Sequence, residues 1–174
     1  MRKKTVLFTT AMLTSYTAIA CSLHDARNDK TYTLNLTEKE CKTISYMEGN
    51  TISIRLSLLE VAAIDYRREP DQIDLRLVFI EGHYDLSANI NEIYFSRENG
   101  GLKVYNTPHE TKYTFIGQGA ELVVVKKRGR TWLAERLING AIVNYQYETR
   151  YTDLKKMDDF VYTYVNKIMD QKEK

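Results

Sequence analysis

The sequence has little of what bends, staples or breaks a chain: two prolines, two cysteines and eight glycines in 174 residues. So few prolines and glycines exclude a collagen-like or linker-dominated chain. Two cysteines exclude a small fold built on a lattice of disulfides. An excess of one charge is missing too. The 25 basic and 23 acidic side chains leave a formal net charge of +2, which argues against a basic nucleic-acid binder. The sequence shows no G-x-S-x-G, no H-E-x-x-H, no P-loop and no G-x-G-x-x-G. Gly117-Gln118-Gly119 lacks the third glycine and the following helix of a dinucleotide site. The reading is therefore of a non-enzyme with no cofactor, no metal and no nucleic-acid partner.

What is present begins with a leader. Arg2, Lys3 and Lys4 precede an uncharged apolar run from Thr5 to Ala20, which ends in small residues before Cys21. This is the layout of a secretory signal peptide over residues 1–20, and the run is short for a membrane span, which needs about 20 apolar residues. Without the leader, 22 basic and 23 acidic side chains remain, net −1. Two fates are open to Cys21. It is the lipidation candidate, because Ala18-Ile19-Ala20-Cys21 is lipobox-like, although Ala18 stands where that motif commonly has Leu. Unlipidated, it is free to pair with Cys41 in an oxidising compartment.

Residues 21–30 (CSLHDARNDK) lack periodicity and read as a tether, with a single β-rich domain over 31–174. The alternation is mostly period two. Ile52, Ile54, Leu56 and Leu58 face away from Thr51, Ser53, Arg55 and Ser57, and Ile73, Leu75, Leu77 and Phe79 repeat the pattern against Asp74 and Arg76. Each such run is a strand with one buried face. Further strands are expected at 31–36, 90–97, 102–105, 112–116, 122–127, 131–138 and 141–148. Asn99-Gly100-Gly101 and Asn139-Gly140 supply residues that tolerate the positive φ of tight hairpins, and Lys127-Arg128-Gly129-Arg130 is another turn. Thr37-Glu38-Lys39-Glu40 fits a capping box and predicts a short helix over 38–46. Leu154, Met157, Phe160, Val161, Tyr164, Val165 and Ile168 fall at helical spacing, within a helix placed at 152–170 and capped by Thr152. The fold class is α+β: an antiparallel β meander of about seven to nine strands, with a C-terminal amphipathic helix packed on the sheet.

Candidate chemistry is sparse. Glu81, His83, Tyr84 and Asp85 bring acid, imidazole and phenol together in a loop after a strand, and His109 and Glu110 follow Pro108 in another. Metal sites need three or four ligands, so these read as polar loops. Asp158-Asp159 is assigned to the solvated face of the last helix, and Glu69 and Asp71 to a loop. Twelve tyrosines follow the leader, a composition suited to interfaces and to strands alike. Tyr66, Arg67, Arg68, Glu81, His83, Tyr84, Asp85, His109 and Glu110 are the partner-binding candidates, because loops offer the natural plug for a partner's cleft.

The leader, Cys21 and the β-rich remainder resemble small bacterial envelope lipoproteins, among them the immunity lipoproteins of type VI secretion systems. Ser22 after the cysteine resembles the outer-membrane type. The resemblance implies export to the periplasm, attachment to the outer membrane through a lipid on Cys21, and a protein partner: a toxin, hydrolase or envelope component. An immunity or inhibitor role is the first reading. A structural or assembly role is the second, and a small-ligand binder or enzyme on the 81–85 loop the third.

Overall fold

The computed structural model describes residues 20–25, 28–47, 49–65 and 71–169. Their frame is a ten-stranded antiparallel sheet with one long helix laid across it, so the protein is α+β with the C-terminal helix packed on the sheet. The period-two segments become strands as their patterns require. β1 (Ala20–Asp25) and β2 (Lys30–Asn35) form a separate hairpin. The large sheet contains β3 (Ser45–Met47), β4 (Thr51–Ser57), β5 (Ala62–Ala63), β6 (Gln72–Phe79), β7 (Phe95–Asn99), β8 (Leu102–Asn106), β9 (Thr111–Ile116), β10 (Leu122–Arg128), β11 (Thr131–Ile138) and β12 (Ala141–Glu148). Its order is β3-β4-β6-β12-β11-β10-β9-β8-β7, with β5 beside β4. From β7 to β12 it is a meander, and β12 then pairs with β6 instead of continuing outward. The β11–β12 turn uses Asn139 and Gly140 at φ 47° and 76°, the two positive dihedrals that let a two-residue turn follow strand twist.

Register decides what each face carries. Ile54, Leu75, Tyr145, Ala134, Val125 and Tyr113 stand directly opposite one another across six strands. This is the core face. Helix α2 (Leu154–Met169) covers it with Leu154, Met157, Val161, Tyr164, Val165 and Ile168, all buried. Leu34 and Leu36, in and just after β2, join the same core. Asp153 caps α2 by accepting from the Lys156 N–H at 3.0 Å, one residue later than the expected Thr152.

Four expectations change. Residues 20–25 are a strand and not part of a tether, because Cys21 and Asp25 are buried and the backbone pairs residue for residue with β2. The capping box forms as predicted, but its helix, α1 (Glu38–Cys41), stops after one turn. Ser45–Met47 then turns back as β3 onto β4. The segment 90–97 enters its strand only at Phe95, after a single 3-10 turn at Glu92–Tyr94. Asp158 is fully buried and not on the solvated face.

Cys21, expected as the lipid attachment point, is disulfide-bonded to Cys41. A sulfur held in a disulfide cannot also carry a lipid thioether, so this structure is the second of the two fates. The bond ties the N-terminal hairpin to α1. Among the described residues no helix is long and apolar enough to cross a membrane.

Candidate functional site

The other face of the sheet is polar. One row across it reads Arg55, Asp74, Gln146, Leu133, Lys126 and Lys112, and the next reads Ser53, Arg76, Asn144, Glu135, Val124 and Thr114. These are the off-core alternates of strands whose other alternates make the core, so the same periodicity that builds the interior builds this surface.

A long connection crosses that face. β6 and β7 are consecutive in the chain but stand apart in the sheet, with β12, β11, β10, β9 and β8 between them. Residues 80–94 span the gap as a strap. Tyr84 donates its hydroxyl to Glu135 Oε1 on β11 at 2.8 Å. Leu86 is buried in a 3-10 turn, η1 (Leu86–Asn89), that packs on β10. Lys112 Nζ on β9 donates to the Asn89 carbonyl at 2.8 Å, and the Tyr105 hydroxyl on β8 donates to Glu92 Oε1 at 3.0 Å. The strap is thus fastened at four successive strands. The Glu135 carboxylate, by accepting, raises the Tyr84 phenol pKa above its usual value.

Beside the strap lies an open groove of about 840 Å³. Its floor is the polar face, Leu86 and Asn89 belong to one wall, and Thr43, Ser45 and Ile64 line it near β4. Its charged lining is Arg55, Arg76, Lys112 and Lys126 against Asp74 and Glu135. Both carboxylates are engaged within the molecule. Asp74 accepts from Arg55 Nε at 2.8 Å and Gln146 Nε2 at 3.0 Å, and Glu135 accepts from Tyr84. Glu110 stands at the rim, 3.4 Å from Lys112 Nζ and 3.9 Å from Lys126 Nζ. Among the described residues no group of three or more His, Cys, Asp or Glu is placed to hold a metal ion.

The predicted site residues scatter accordingly. Tyr84 anchors the strap, and Glu110 meets two lysines of the groove. Glu81 pairs with Lys30 on β2, away from the groove. Asp85 caps η1 by accepting from the Ser87 hydroxyl at 2.6 Å and amide at 2.8 Å, and these bonds lower its pKa. His83 and His109 are exposed. His109 lies in a turn, where its N–H donates to Thr107 Oγ1 at 3.3 Å. Tyr66, Arg67, Arg68 and Glu69 lie outside the described residues. The structure assembles no acid–base or metal constellation from the 81–85 loop. What sequence reasoning missed is the groove floor. Its signal is present as the polar alternates Arg55 and Arg76, of which the period-two pattern says only that they face away from the core, and as Lys126, which belongs to a basic cluster read as a turn or a docking spot for an acidic partner.

A second polar cluster lies inside the core. Arg136 and Asp158 are both fully buried and 2.5 Å apart. Tyr145 donates to Asp158 Oδ1 at 2.8 Å, and Arg136 also donates to the Gln118 carbonyl. The Tyr162 ring lies 4.6 Å from the centre of the guanidinium, a cation–π contact. Burial raises the Asp158 pKa, while the Arg136 charge and the bonds from Tyr145 and Arg136 pull it back. Burial and the neighbouring carboxylate hold the Tyr145 phenol far above its usual pKa. Gly117 is required beside this cluster: a Cβ there would stand 2.5 Å from Asp158 Oδ2 and 2.8 Å from Arg136 Nη1. Both side chains are fully buried, one on β11 and the other on α2, so the pair ties the helix to the sheet.

Comparison of the chain with protein-family models, with curated proteins and with solved structures finds no match.

Proposed function

We propose that this chain is an exported protein-binding module of the bacterial envelope, and that it acts by holding a segment of a partner protein in the strapped groove. The observation that carries the reading is the groove itself: a polar trough fixed by a strap anchored at Glu135, Lys112 and Tyr105. A rigid, preformed site loses little entropy when a partner docks. Small-molecule pockets are mostly apolar with a few polar groups, whereas most of this floor is polar or charged, with Leu133 and Val124 the apolar exceptions in its two rows, which suits a peptide backbone and its side chains. Two further features support export. The leader over residues 1–20 has signal-peptide layout, and the Cys21–Cys41 bond belongs to an oxidising compartment such as the periplasm.

On this reading the partner is a toxin, a hydrolase or an envelope component, and binding an incoming toxin would make the chain an immunity protein or inhibitor. The test is affinity capture from envelope extracts of the source bacterium and its competitors. Three baits are compared: the mature domain, Gln146→Trp, which fills the groove without changing its charge, and Lys156→Glu, on the exposed side of α2. A stoichiometric partner held by the first and third baits and lost from the second is the expected result. A partner held equally by all three, or none at all, overturns the proposal. If the partner is a toxin, the function is immunity; if it is an assembly component, the structural reading replaces it.

A further inference from the structure

The charge of the groove narrows what it takes. Among the described residues, four cationic side chains line it against two carboxylates, and those two already accept hydrogen bonds from Arg55, Gln146 and Tyr84. Even with Glu110 counted at the rim, cations stay in excess. Lys126 has its closest acid, Glu110, at 3.9 Å, with its side chain 46% exposed, so its ammonium can take a further carboxylate without breaking a short bond. Among the neutral lining groups Asn144 offers an amide donor suited to carboxylate and carbonyl oxygens, while the Gln146 amide and the Thr43 hydroxyl already donate to Asp74 and to the Glu40 carbonyl. The chain without its leader is close to neutral, so the surplus in the groove is local.

We infer that the groove selects an acidic, extended segment of a protein, running across the strands and meeting Lys126 and Arg76 with its carboxylates. This rests on the protein-binding reading above and adds the chemistry of the partner. The geometry sets a spacing. Arg76 on β6 and Lys126 on β10 are separated by β12 and β11, three strand steps of about 4.8 Å or roughly 14 Å across the sheet, and Arg76 lies two residues, about 7 Å, along its strand from Lys126's row, which makes roughly 16 Å in all. An extended chain rises about 3.4 Å per residue, so acidic residues four or five apart match the two cations. The whole row from Arg55 to Lys112 crosses five steps, about 24 Å, room for roughly seven extended residues.

The experiment uses labelled octaglutamate, octalysine and octaserine, and an octathreonine carrying glutamate at its first and fifth positions, titrated into the mature domain at low salt. Octaglutamate and the two-glutamate peptide are expected to bind saturably and the other two not. Lys126→Glu is expected to weaken octaglutamate about tenfold, equivalent to about 1.4 kcal/mol, and Lys126→Gln by less. Raising the salt weakens binding further, because exposed charges are screened. Lys126 is half exposed, and a thermal melt confirms that each variant is folded. No binding of octaglutamate overturns the inference. So does binding that Lys126→Glu leaves unchanged, which would place the peptide elsewhere, as on the Lys127–Arg130 turn. Displacement of the peptide by equimolar inorganic phosphate also overturns it, in favour of a small-anion site. The captured partner separates the two levels. If Gln146→Trp releases it and Lys126→Glu does not, the acidic chemistry is wrong and the groove stands; if neither releases it, the groove reading itself falls.

Discussion

Replacing Asp158 by Ala deletes one half of an ion pair whose members are both fully buried. The loss leaves the Arg136 guanidinium in the core with the Gln118 carbonyl as its one remaining hydrogen-bond acceptor among the described residues, where its Nε already has no partner. It also strips the acceptor from the buried Tyr145 hydroxyl. Breaking a buried pair by removing one partner costs about 3–5 kcal/mol, since the other charge is stranded away from water. For a chain of this size that lowers Tm by roughly 6–20 °C, and with a urea m-value of about 2 kcal/mol/M it moves the midpoint down by about 1.5–2.5 M. Urea unfolding followed by tryptophan fluorescence reads it directly, because Trp132 lies on the core face of β11. The companion variant is Arg136→Met with Asp158→Leu. Burial raises the Asp158 pKa against the pull of Arg136, which means the charged pair does not fully offset its own desolvation. Replacing both members is therefore expected to recover most of the loss. A cost below about 1 kcal/mol for Asp158→Ala would refute the reasoning, because water would then have to reach Arg136 past the 117–121 turn and the Tyr162 ring.

Three further outcomes can be checked alongside it. Gly117→Ala drives a Cβ against Asp158, Arg136 and Val123 and is expected to destabilise by about 1–3 kcal/mol, measured by the same unfolding curve. Cys41→Ala opens a loop of sequence separation 20 and is expected to cost about 3 kcal/mol by the loop-entropy estimate; intact mass of the secreted wild type should show two hydrogens fewer than the reduced chain and no lipid adduct. Tyr84→Phe removes the strap's bond to the Glu135 carboxylate. About 1.5 kcal/mol is expected, together with faster amide exchange over 84–90 and unchanged protection in β4 and β6.

The strands were legible wherever one face is wet and the other dry. Thr51–Ser57 and Gln72–Phe79 alternate in sequence and in burial, and the hairpin turns carry the residues their dihedrals demand. Legibility failed where tertiary contact overrides local pattern. Asp158 sits on the apolar stripe of α2 by spacing, between Leu154 and Val161, and its charge alone sent it to the solvent side. Arg136 is the matching oddity, a charge at a core-facing alternate between Ala134 and Ile138. Two opposite charges on two buried faces were a readable signal of one buried pair. The N-terminal strand was hidden for another reason: its polar composition gives no alternation, and its pairing with β2 and its disulfide are not properties of its own residues. The groove was half visible. Its cations stood in the sequence, but only the strand order brings Arg76 and Lys126 onto one floor, and only the placement of β7 at the far edge stretches the 80–94 connection over it.

Helix α2 also covers the N-terminal hairpin. Leu34 and Leu36 share a core with Tyr164, Val165 and Ile168, across more than 100 residues of sequence. The β7–β12 meander is zipped by neighbouring hairpins, the kind of local contact that forms fast, whereas contacts of long sequence separation form slowly. The Cys21–Cys41 bond is also local and can close while the rest of the chain is still emerging. Assembly therefore has an order: stapled N-terminal segment and meander first, then α2, which seals the two together. A polypeptide cut short before Leu154 keeps its turns and its disulfide but leaves the core face of β11 and β12 bare. Such a chain exposes apolar surface to the proteases that police unfolded protein, so α2 shields the sheet from degradation as well as holding it to the N-terminal hairpin.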